Sequence, residues 1–178
     1  MCFAPYGPSG DGLLAGCYYL SGALFDSLPE GAVQVIATAA AANPGKEGMI
    51  SIDMIGGKAA DVPVGATAYA QRGARFFVVV LAVWQPSLDA ATYTKRRNAC
   101  KAWVHETKAA LQPYALGAYG QLPGNVSAYD EHEQDHHDYH TPGEGPFGWA
   151  SNLARLRAAK AKFDPNGLFV NTAHIKEA

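Results

Sequence analysis

Arg75-Phe76-Phe77-Val78-Val79-Val80-Leu81-Ala82-Val83-Trp84 decides the fold. β-Branched and aromatic residues dominate it, and no polar side chain interrupts Phe76 to Val83. A run of this length and content is expected to be a central strand covered on both faces. On its N-terminal side, Met49-Ile50-Ser51-Ile52-Asp53-Met54-Ile55 partly alternates apolar and polar residues, as a strand with one buried face would. Gly56-Gly57 then breaks or bulges it. Further back, Cys17 to Leu24 has strand character. Asp26-Ser27-Leu28-Pro29-Glu30 opens a helix that continues through Ala32 to Ala42. It offers a capping side chain, a proline in the first turn and an acid near the positive end of the dipole. Asn43-Pro44-Gly45 stops it.

On the C-terminal side, Pro86-Ser87-Leu88-Asp89 opens a long helix to about Leu111, with Ala91, Ala99, Ala102, Trp103 and Ala110 as its expected buried stripe. Residues 113–129 read as loop and short strand, and 130–146 as a polar, His-rich stretch bounded by Gly and Pro. A last amphipathic helix covers about Phe147 to Lys162. Leu153, Leu156 and Ala159 are expected inward, and Arg155, Arg157, Lys160 and Lys162 outward. Asp164-Pro165-Asn166-Gly167 is a turn in which proline fixes φ, the aspartate bonds forward to backbone and the glycine takes a positive φ. Leu168 and Phe169 are expected to anchor the tail by burial, at about 1.5–3 kcal/mol each. The sum is an α+β fold, an antiparallel sheet flanked by helices with a C-terminal helix and tail.

The totals bound the function. The chain has 178 residues, enough for one core of ordinary size. With 48% apolar and 17% charged residues it is a globular rather than a disordered composition. A net charge of −2 gives nothing that would draw it to nucleic acid or anionic lipid. Leu13 to Phe25 is mostly apolar but too short to span a membrane. It lacks a basic leader and reads as interior structure that begins abruptly, as in a truncated chain. Cys2, Cys17 and Cys100 are far apart with no CxxC pair, which argues against a disulfide framework.

Three ordered stretches resemble the berberine-bridge-enzyme type of flavin oxidoreductase. Ser151-Asn152-Leu153-Ala154-Arg155-Leu156, Lys160 and Phe163-Asp164-Pro165-Asn166-Gly167-Leu168-Phe169 resemble the closing pattern of that family, continued by Asn171 and Ile175. His174 stands where a second Asn is usual. Gly56-Gly57, Thr67-Ala68-Tyr69 and Arg72 resemble its Gly-Gly, Thr-Ala-Phe, His-Arg segment, with Gln71 for the usual His. Gly117-Ala118-Tyr119-Gly120-Gln121 resembles its Gly-Ala-Tyr-x-Asn, with Gln for Asn. A rival register puts Val126-Ser127-Ala128-Tyr129 on that motif.

The resemblance spans about residues 17–176. It implies a partial domain lacking an N-terminal FAD-binding domain. Residues 1–112 would be the later part of a substrate-binding domain, and 113–178 a berberine-bridge-enzyme-like terminal segment. It implies FAD as cofactor and oxidation of an alcohol, sugar or amine-type carbon by hydride transfer to flavin. The implied partners are a small-molecule substrate and the missing flavin domain. Without that domain the chain is expected to be inactive. Tyr119 is the implied catalytic residue, facing the flavin as a base or as the hydrogen-bond partner of one. Tyr119, Gln121 and Asn171 are the implied cofactor contacts. The family often places a catalytic Gln or Glu on the strand that here holds only apolar residues.

Two readings compete. His132-Glu133-Gln134-Asp135-His136 fits the His-Glu-x-x-His pattern of zinc hydrolases, in which two His one helical turn apart hold the metal and the Glu activates water. Asp130, Glu131, Asp135 and Asp138 surround it without an apolar stripe to bury it, so a solvated acidic loop with no bound metal is the expected outcome. The other alternative is a non-catalytic remnant or binding module.

Overall fold

A computed structural model describes residues 17–44, 48–84, 89–118, 140–141, 145–146 and 152–168. The apolar run at its centre is a strand, β3 (Phe76–Trp84). It lies between β1 (Cys17–Phe25) and the edge strand β2 (Met49–Met54), and all pairings are antiparallel. The short β4 (Gly117–Ala118) pairs with the end of β1, giving the order β2-β3-β1-β4. A separate ladder joins β5 (His140–Thr141) to β6 (Gly145–Pro146). Three helices complete the description: α1 (Glu30–Ala41), α2 (Ala90–Leu111) and α3 (Leu153–Phe163). This is the expected α+β arrangement. None of the described helices is long and apolar enough to cross a membrane.

Alternation along the strands separates two faces. Cys17, Tyr19 and Phe25 of β1 share one face with Val78, Val80, Ala82 and Trp84 of β3. Against them pack Ala32 of α1 and Cys100, Trp103, Val104 and Leu111 of α2. The opposite face buries Tyr18, Leu81 and Val83. The central strand is thus apolar throughout because both of its sides are used. Cys17 and Cys100 are buried in this core, and neither is in a disulfide.

Four local expectations need correction. The α2 stripe is Cys100, Lys101, Trp103, Val104, Thr107 and Leu111, while Ala91, Ala99, Ala102 and Ala110 are exposed. Of the residues expected inward only Trp103 is buried, because alanine suits either side of a helix and the larger residues select the face. The α1 N-cap is Pro29, with no side-chain cap; the Ser27 hydroxyl donates to Asp26 instead. β2 does not bury one face. Ile50 packs against the core, but Met54 is 85% exposed, as befits an edge strand that runs beyond its cover. In α3, Lys160 turns inward to pair with Asp164 whereas Ala159 is exposed.

α2 begins where it was expected to. Asp89 caps it, accepting from the backbone N–H of Ala91 and Thr92. The Thr92 hydroxyl, followed by these N–H groups, holds the Asp89 carboxyl below its ordinary value. A carboxyl lowered on folding adds stability above its unfolded pKa, and that stability is lost as pH falls through the folded value. Asp89→Asn keeps a capping oxygen without the charge. Thermal unfolding followed from neutral to acidic pH should show the wild type losing its advantage over Asp89→Asn below the ordinary carboxylate range. Parallel curves would contradict this account of the cap.

Candidate functional site

On the sheet face away from α1 and α2, a cavity of about 310 Å³ opens beside the ends of β1 and β3. Leu24 and Phe77, register partners on adjacent strands, supply its floor. Ile55 and Gly56, just past β2, supply a wall, with Ala59, Ala60 and Ala74 around it. Tyr69, Gln71 and Arg72 are its polar lining. The expected break at Gly56-Gly57 makes the wall possible. Both residues take positive φ, 122° and 56°, which side-chain-bearing residues avoid, and the chain leaves the ladder there for a 3₁₀ turn over Gly57–Ala59.

The loop between this turn and β3 is held from two directions. Arg72 donates to the Ala59 carbonyl at 2.9 Å and to the Thr67 hydroxyl, and its guanidinium lies 4.9 Å from the Tyr69 ring centre. From outside, the terminal helix grips the same loop. Asn152, only 3% exposed, donates its amide to the carbonyls of Val64 and Thr67 at 2.9 Å each, and Arg155 donates to the Gly65 carbonyl. Two stretches quoted separately in the sequence, Gly56 to Arg72 and the closing helix, are thereby one assembly. No role was expected for Asn152 or Arg72, although both stood in those stretches. Arg155 was expected outward; it binds a backbone carbonyl of its own chain.

The Asp164–Gly167 turn forms as expected. The Asp164 carboxylate accepts from the Leu168 N–H at 2.7 Å, and Gly167 has φ 63°. Leu168, however, is 77% exposed, so it does not anchor the tail as expected. Among the described residues the helix is held by Asn152 and Arg155, and Leu153 and Leu156 are half-buried.

The described chain reaches Ala118, where β4 lies against Ala23 and Leu24 of β1, next to the cavity floor. Tyr119, Gln121 and Asn171 lie outside the described residues, as do His132, Glu133 and His136. No cluster of three or more metal-ligating side chains occurs among the described residues.

Comparisons with known proteins bear on the fold and on the closing segment. Residues 143–176 match the family described as berberine and berberine like. Berberine bridge enzyme from Eschscholzia californica superposes with a TM-score of 0.61 at 19% identity, over 87% of this chain and 32% of that one. A glycopeptide hexose oxidase complexed with teicoplanin gives 0.57 at 20% identity, over 91% and 31%. A carbohydrate oxidase from Microdochium nivale, in complex with a substrate analogue, gives 0.52 at 19%, over 86% and 31%. No curated protein matches the sequence. The chain spans about a third of the length of the structures it matches. It carries the berberine-and-berberine-like segment at residues 143–176 and, across most of its length, has the fold of part of a berberine-bridge-enzyme-type oxidase.

Proposed function

We propose that this chain forms the substrate side of an FAD-dependent oxidoreductase that oxidises an alcohol, sugar or amine-type carbon, and that it works only when joined to a flavin-binding domain. The observation that carries the proposal is the cavity at the Gly56–Arg72 loop, gripped by the helix that lies in the berberine-like segment. The berberine-bridge-enzyme-type family is one of FAD-linked oxidases, and the cavity suits one part of that cofactor. A flat apolar floor of Leu24 and Phe77, beside a Gly56 without a side chain, can lie against a ring system. It does not suit the dinucleotide. Among the described residues, the one cationic lining residue, Arg72, is engaged with Ala59 and Thr67. The diphosphate would therefore have to be held elsewhere, on the flavin-binding domain.

FAD, when bound, supplies the hydride acceptor. This chain's residues would do the rest. The cavity would orient the substrate carbon and exclude water from it, and Arg72 with Asn152 would keep the loop in place. Tyr119, which follows β4, would take or relay the substrate proton, with Gln121 beside it and Asn171 in the tail as further contacts toward the flavin. A zinc hydrolase built on His132, Glu133 and His136 is the alternative reading, and that stretch lies outside the described residues.

Co-expression with the flavin domain of a berberine-bridge-enzyme-type oxidase tests the proposal. The expected result is a yellow complex that co-purifies, while the chain alone binds no FAD. Two domains that elute separately and colourless would overturn it. Stoichiometric zinc in tag-free protein, lost in His132→Ala, would favour the hydrolase.

A further inference from the structure

The terminal helix grips the cavity loop near its start, and its far end carries a second feature. We infer, on the reading that a flavin-binding domain completes this chain, that the domain docks on the turn after α3. Phe163 and Leu168, at the two sides of that turn, would enter an apolar socket edged by a carboxylate.

Phe163 is 75% exposed and Leu168 77%. Single apolar side chains on a surface are ordinary. These two are displayed by one fixed turn. Asp164, buried between them, pairs with Lys160 and accepts from the Leu168 N–H at 2.7 Å. Its carbonyl accepts from the Gly167 N–H at 3.1 Å, and Gly167, at φ 63°, turns the chain back. The display is set before any partner arrives, which removes the ordering cost that weakens docking by a loose tail. Two large apolar side chains on a rigid turn are what a compact docking hot spot needs.

The charge around the tip gives the chemistry of the socket. Lys162 holds its ammonium 5.1 Å from the Phe163 ring centre. A partner that covers Phe163 takes water from that cation, and a carboxylate at the rim offsets the loss. The charged residues of α3 itself are all cations, Arg155, Arg157, Lys160 and Lys162, so its field favours an acidic partner.

The occupant follows from where the helix leads. Asn152 and Arg155 bind α3 to the cavity loop, and Phe163 lies about 12 Å beyond Arg155 along the axis, at about 1.5 Å per residue. A domain seated on the tip is thereby fixed relative to the cavity, as delivery of a flavin ring to that cavity requires. This fold makes up about a third of the structures it matches, and the rest of such an oxidase is the partner that the reading supplies.

Isothermal titration of the FAD-loaded flavin domain of a berberine-bridge-enzyme-type oxidase into the full chain tests this. The variants are Phe163→Ser, Leu168→Ser, both together, and Lys162→Glu. Val33→Ser, at an exposed apolar residue of α1, is the control. The double variant is expected to bind about a hundredfold more weakly and Lys162→Glu about tenfold, with Val33→Ser unchanged. Each free serine variant should melt at the wild-type temperature, because an exposed side chain holds nothing in the free chain. A double variant that binds like the wild type, or a Val33→Ser that weakens as much, removes the surface and leaves the flavin reading standing. A melting temperature lowered by about 4 °C or more in Phe163→Ser or Leu168→Ser shows that the chain itself covers the side chain, and removes the surface too. A wild type that takes up no flavin domain sinks the flavin reading, and the surface falls with it.

Discussion

Trp103→Ala is expected to destabilise the protein by about 3–5 kcal/mol, the usual cost of deleting a large buried aromatic. Trp103 is 5% exposed and lies within the core cluster shared by the sheet and α2. Its indole N–H also donates to the Ala39 carbonyl of α1 at 2.8 Å, so one side chain ties both helices to the sheet. Trp103→Phe separates the two contributions. It keeps most of the apolar contact and loses the hydrogen bond, for about 1 kcal/mol plus the volume lost. Urea unfolding of the three proteins measures this. A loss below about 1 kcal/mol in Trp103→Ala would mean that α1 and α2 are not fastened through this residue.

The second large effect is expected at Asn152. Its amide donates to the loop carbonyls of Val64, Thr67 and, more weakly, Ala68, and Asn152→Ala removes all three contacts, for about 1–3 kcal/mol in all. Asn152→Asp sharpens the test. The shape is kept, but a carboxylate cannot donate, so its oxygens would face the Val64 and Thr67 carbonyls acceptor to acceptor. Asp should therefore be no better than Ala. Hydrogen exchange should quicken together in α3 and in residues 57–72, because each holds the other. If only α3 responds, the grip on the cavity loop is wrong. Rescue by Asp would show that the side chain acts by shape and not as a donor.

Much of the fold was legible in local chemistry. Phe76 to Trp84 is too apolar for anything but an interior strand, and Asp89 and Asp164 each bond the backbone that follows them, as their positions suggested. The failures share a cause: a residue was judged by its type and not by its neighbours. Lys160 was expected outward as a charged residue, but Asp164 one turn later gives it an inward partner. The alanines of α2 were read as marking the core, although Cys100, Trp103, Val104 and Leu111 mark it better. Of the cavity only the break at Gly56-Gly57 was legible. Its lining comes from Leu24, from residues 55–60 and from residues 69–77, which only the sheet brings together. Tyr119, Gln121 and Asn171 came from resemblance, and their expected roles stand as proposals.

The pairing of β1 with β3 has a kinetic consequence. Phe25 and Phe76 are register partners, yet α1, β2 and the whole cavity loop intervene along the chain. The consecutive antiparallel strands β2 and β3 are separated by residues 55–75, so no tight hairpin seeds this sheet among the described residues. Its two innermost strands must meet after a long loop closure, whose entropic cost precedes any reward from contact. Refolding should accordingly be slow for so small a chain. During that search the most apolar strand in the molecule is unsheltered, so yield on refolding should fall as protein concentration rises.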